Sequence, residues 1–76
     1  MPQYYMNRNR QDSDNNEHEV HQQVCSHPAE PKNQLDLGWF SNGMEAVAAA
    51  KRAYPQVASV INGCMYCNPE ADFRTH

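Results

Sequence analysis

The chain has 76 residues and a mass of 8.7 kDa, with 39% hydrophobic residues, a mean hydropathy of -0.92, a formal net charge of -3 and a pI near 5.7. That is room for one domain at most, with an apolar core too thin to hold it alone, so a metal or disulfides are expected to contribute. The acidic balance argues against a protein that lives by neutralising phosphates, and no apolar run approaches a membrane span or a secretory signal, which leaves a cytoplasmic protein as the expectation.

Residues 1–19 are rich in Asn, Gln, Asp and Arg and read as a disordered polar tail, with Tyr4, Tyr5 and Met6 as a small apolar cluster inside it. The domain proper is expected over residues 20–76. Val20 to Cys25, VHQQVC, reads as a short strand or turn, and Pro28 and Pro31 keep the following loop out of regular helix. Leu35 to Phe40, LDLGWF, alternates Leu35, Leu37 and Trp39 on one face of a strand, with Gly38 marking a bulge or a close backbone approach.

Ser41 or Asn42 offers an N-cap, and Glu45 three residues beyond Asn42 completes a variant capping box. A helix from about Gly43 to Tyr54 follows, with Ala46, Val47, Ala50, Ala53 and Tyr54 on its apolar side and Glu45, Lys51 and Arg52 toward solvent. Pro55 ends it. Val57 to Ile61 reads as a second strand, Asn62-Gly63 as a tight turn, and Asn68-Pro69 as the start of a short C-terminal helical turn. The fold class expected is α+β, a short sheet or hairpin with one main helix, stabilised by zinc.

Three cysteines cannot all pair within one chain, and a reducing compartment disfavours disulfides further. Their spacing suits a metal. Cys64-Met65-Tyr66-Cys67 is a C-x2-C pair behind Gly63, and His21 and Cys25 form an H-x3-C pair, with 38 residues between the two pairs. Zinc takes four nitrogen and sulfur donors in a tetrahedron, commonly as two such pairs. His21, Cys25, Cys64 and Cys67 are therefore the expected ligands of one Zn2+. His18, His27 and His76 are alternative fourth ligands, His76 foremost because it follows the second pair closely. The bland alternative is a buried small Cys25, an exposed His21 and a chance C-x2-C; a redox dithiol is the other, although the chain is too short to surround it with a βαβ sheet.

These features in this order resemble the zinc-binding domain at the N-terminus of the bacterial Ada DNA-repair protein and similar small modules attached to nucleases. The matching stretches are His21 to Cys25, Leu37 to Phe40, Ser41 with Glu45-Ala46, and Gly63-Cys64-Met65-Tyr66-Cys67-Asn68-Pro69, over about residues 20–70. In that family the first residue of the first pair is a metal-activated cysteine thiolate that accepts a methyl group from a DNA phosphotriester. Here it is His21, so the resemblance implies the fold and the metal without the repair chemistry. The family's basic DNA face is also missing, since only Lys51, Arg52 and Arg74 are available for it.

Three functions compete. A non-catalytic zinc module binding a protein partner, as a monomer away from membranes, fits the acidic surface and the closed ligand set. A nucleic-acid binder would track phosphates with Lys51 and Arg52 and stack a base on Trp39 or Tyr66, but a tryptophan on an alternating strand is more often core. An enzyme would be either a thiol redox protein using Cys64 and Cys67 or a zinc hydrolase, the latter with Glu70 as its one nearby carboxylate.

Overall fold

The computed structural model describes residues 2–8, 17–26 and 28–72. Four strands, β1 (Gln3–Asn7), β2 (His18–Gln22), β3 (Gln34–Trp39) and β4 (Ile61–Gly63), form one sheet in the order β3-β1-β2-β4, and a helix, α1 (Gly43–Ala53), packs across one face of it. The architecture is the α+β arrangement of a short sheet with one main helix. Among the described residues no helix is long and apolar enough to cross a membrane.

The centre of the sheet corrects the expectation of a disordered tail over residues 1–19. Gln3–Asn7 is an inner strand, paired antiparallel with both β2 and β3. Tyr4, Tyr5 and Met6 are almost wholly buried, and β2 begins at His18, ahead of the expected boundary at Val20. A strand covered on both faces shows a continuous apolar run instead of alternation. Three such residues in a polar stretch are too few to raise the local hydropathy, so the pairing is legible only in three dimensions. Residues 9–16, also assigned to the tail, lie outside the described residues.

Strand β3 carries a bulge. Tyr4 pairs with Gly38 and Tyr5 with Asp36, which leaves Leu37 as the extra residue, and Gly38 adopts the left-handed φ of 96° that such a bulge requires. One extra residue inverts the alternation beyond it. Leu35 and Leu37 pack on the core, whereas Trp39, expected on their face, is 61% exposed; Phe40 takes the inward place and meets Tyr4 edge to face at 6.2 Å.

Helix α1 starts at the expected cap. Asn42 Oδ1 accepts the Glu45 N–H at 3.0 Å, and the Glu45 carboxylate reaches back to the Ser41 N–H at 3.4 Å. Its buried side is Gly43, Ala46, Val47 and Ala50, small residues that let the backbone lie close to the sheet; Ala53, expected on that side, is exposed, and Tyr54 caps the end before Pro55. Beyond the proline the expected strand Val57 to Ile61 does not form. Pro55–Val60 makes 3-10 turns kinked at Val57, because the proline's fixed φ continues a turn, and the strand is instead Ile61–Gly63, pairing parallel with β2 from His18 to Val20. Asn62-Gly63 is thus strand and not turn.

Tyr4, Met6, Val20, Ile61, Ala46, Val47, Ala50 and Ala71 form the hydrocarbon core on the helix side. The alternate residues of β1 and β2, Tyr5, Glu19 and His21, turn to the opposite face.

Candidate metal centre

His21 sits on β2 directly across from Tyr5, and the two rings stack with centroids 5.1 Å apart and planes inclined by 24°. After Gln22 the chain turns, closed by the Cys25 N–H donating to the Gln22 carbonyl at 3.1 Å, and this brings Cys25 back beside the strand end. The second pair arrives from β4. The Cys64 N–H donates to the Val20 carbonyl at 3.0 Å, continuing the parallel pairing, and the Asn68 N–H donates to the Cys64 carbonyl at 2.8 Å, closing the turn that carries Cys67.

Two features hold this turn against the sheet. A Cβ at Gly63 would lie 2.7 Å from the Asn68 carbonyl oxygen and 2.9 Å from Ala71, so only glycine lets the chain after the turn cross β4. The buried Asn68 amide donates to the Val20 carbonyl at 3.4 Å and to the Gly43 carbonyl at 3.5 Å, linking the turn to the start of α1.

One donor atom from each of His21, Cys25, Cys64 and Cys67 lies within 4.8 Å of all the others, with the first three residues buried and Cys67 half-buried. This set can hold a metal ion. The Cys25 and Cys64 sulfurs are 3.8 Å apart, and His21 Nδ1 is 3.8 Å from the Cys67 sulfur. A tetrahedron with metal–sulfur bonds of about 2.3 Å and a metal–nitrogen bond of about 2.05 Å separates two sulfurs by about 3.8 Å and a sulfur from a nitrogen by about 3.6 Å. These two separations lie near those values, and all three cysteines are free thiols.

The surroundings favour sulfur anions. The Tyr66 N–H points at the Cys64 sulfur at 3.4 Å and the Gln22 N–H at the Cys67 sulfur at 3.3 Å, while the Gln22 side-chain amide donates to the Cys67 carbonyl at 2.8 Å. Without an ion, the hydrogen bond from the Cys67 thiol, helped by His21 and backbone donors, holds the Cys64 thiol down to about 3 against the effect of burial. The same bond, together with burial, pushes Cys67 up. Burial also raises the Tyr5 phenol, as do the neighbouring cysteines, although its oxygen accepts the Ala29 N–H at 3.0 Å.

Of the alternative ligands, His18 is elsewhere: its Nδ1 is 3.0 Å from the Asn7 carbonyl. His27 and His76 lie outside the described residues. Glu70, the carboxylate considered for hydrolysis, instead accepts the Gly43 N–H at 3.2 Å at the start of α1. Tyr5, Glu19 and Gln22 also neighbour the cluster, and the sequence spacing of the cysteines does not mark them. The i, i+2 relation of Glu19 to His21 is the one local sign, since β2 begins before Val20. Comparison with protein-family models, curated proteins and solved structures gives no match.

Proposed function

We propose that this chain is a zinc-binding interaction module, in which His21, Cys25, Cys64 and Cys67 hold one Zn2+ and no catalysis takes place. The observation that carries the metal reading is the convergence of four donors from two separate parts of the chain, all within 4.8 Å of one another. Three sulfurs and one imidazole suit zinc better than the oxygen-seeking calcium or magnesium. Four protein donors leave no position for a substrate or a reactive water, which is the support for a structural ion over a hydrolytic one. The kinship with Ada-like zinc modules is part of this reading and rests on the sequence resemblance alone.

The binding role is supported by the surface beside the cluster. Val24 and Trp39 are exposed at 86% and 61% and line, with Pro2, Gln3, Gln22 and Gln23, an apolar groove of about 260 Å³. Such a surface suits a protein partner. The exposure of Trp39 and of Tyr66, at 57%, favours nucleic acid as the second reading, through base stacking. Native mass spectrometry of the chain expressed with ambient metals tests the metal: one zinc per chain is expected, and a metal-free folded chain would refute it. Fluorescence anisotropy with single- and double-stranded oligonucleotides separates the partners, since salt-sensitive binding is expected only of the second reading.

A further inference from the structure

The Glu19 side chain is only 6% exposed, and that of His21 3%, on the same face of β2. A carboxylate removed from water in this way is held there by its neighbours, and His21 is one of them. The two ring nitrogens of His21 face different ways. Nδ1 is on the side of the cysteines, 3.8 Å from the Cys67 sulfur. Nε2 faces Glu19 Oε1 across 3.5 Å and is a buried atom with no aligned hydrogen bond among the described residues.

Taking the metal reading of the cluster as given, we propose that Glu19 is the positioning residue of the site: its carboxylate receives the Nε2–H of His21 and thereby commits Nδ1 to the zinc ion. The chemistry is that of a metal-bound imidazole, which must present one nitrogen unprotonated and keep the other as a donor. A carboxylate behind the donor fixes that tautomer and makes the coordinating nitrogen more electron-rich. The stacked Tyr5 ring supplies the second restraint, since it lies along the imidazole plane and opposes rotation that would exchange the two nitrogens. The buried Nε2, which makes no aligned hydrogen bond among the described residues, thus has in the carboxylate 3.5 Å away the acceptor that its proton needs.

Long-range proton–nitrogen correlation spectra of the full chain loaded with zinc read the tautomer directly. The expected result is a metal-bound Nδ1 and a protonated Nε2 on His21; a protonated Nδ1 would overturn the proposal. In parallel, competition with a chelating zinc indicator measures affinity in Glu19→Gln, which keeps the shape and loses the charge, and in Glu19→Asp. Affinity is expected to fall about 10- to 100-fold in Glu19→Gln and to recover in part in Glu19→Asp, with one zinc per chain throughout; unchanged affinity in Glu19→Gln would also overturn it. Should Glu19→Gln fail to fold, the tautomer in the unmodified chain decides. An unmodified chain that takes up no zinc defeats the metal reading itself, which these spectra distinguish from a bound ion with the wrong nitrogen.

Discussion

Strand β1 sends its neighbouring residues to opposite faces of the sheet, and the two faces bury them by different means. Tyr4 and Met6 join Val20, Ile61 and the small residues of α1 in a hydrocarbon core, where each large side chain contributes about 1.5–3 kcal/mol through the area removed from water. Tyr5, on the other face, lies against His21, close to Glu19 and the cysteines. Burying those polar groups costs free energy unless each finds a partner. On the proposed reading, the helix face stabilises the fold through hydrocarbon burial, whereas the opposite face draws on a bound ion that turns its donors into ligands.

The sharpest way to break that division is to withhold the proposed ion. Structural zinc supplies on the order of 10 kcal/mol, so chelation, or Cys64→Ser, is expected to abolish cooperative unfolding followed by far-ultraviolet circular dichroism. An unchanged spectrum in chelator would mean that the hydrocarbon face suffices alone. Next in size is Tyr4→Ala, which leaves the cluster intact and empties the core; a loss of about 3–5 kcal/mol is expected in urea unfolding at saturating zinc. Gly63→Ala should cost about 1–3 kcal/mol by the same measurement, because the added methyl meets the Asn68 and Ala71 backbone and neither can retreat without moving the Cys64–Cys67 turn.

Acid should act on the polar face first. In the ion-free chain the Cys67 thiol is pushed up and keeps its proton at neutral pH, so a metal must displace that proton to bind. Zinc affinity is then expected to rise with pH, and chelator competition at about pH 6 and about pH 8 measures the slope. Cys64, held down to about 3, is already a thiolate over that range and adds little to it. An affinity independent of pH would contradict protonated Cys67 in the ion-free state.

Much of this arrangement is legible along the chain, and the illegible part has a common cause. The H-x3-C and C-x2-C spacings single out the four residues that the fold brings together, and the Asn42 to Glu45 cap with its alanine-rich helix is local chemistry. Strand β1 is different: its five residues are strand because β2 and β3 flank them, and nothing within Gln3–Asn7 announces two buried faces. Trp39 misleads for a related reason, since the bulge that inverts its side is a property of the pairing with Tyr4 and Tyr5. Likewise Val57 to Ile61 has strand composition, but the partner that makes a strand, β2, is offered only to Ile61–Gly63. Patterns confined to a few neighbours are legible in the sequence, and pairings between distant segments are not.

The smallest expected effect bears on whether the two faces are independent. Asn42→Ala removes the acceptor for the Glu45 N–H and should cost about 1 kcal/mol by urea unfolding of the zinc-loaded chain. The residue is exposed and outside the donor set, so zinc affinity should be unchanged if the faces act separately. One connection argues the other way. Gly43, the next residue, gives its carbonyl to the Asn68 amide, and Asn68 closes the Cys64–Cys67 turn through its own N–H. Fraying at the start of α1 would loosen that bond and reach the metal turn through it. A double-mutant cycle of Asn42→Ala with Asn68→Ala distinguishes the two cases, because sites without shared partners add to within about 0.5 kcal/mol. Additivity confines the cap to the helix face, while a larger coupling makes the buried asparagine the joint through which hydrocarbon core and metal corner fold as one.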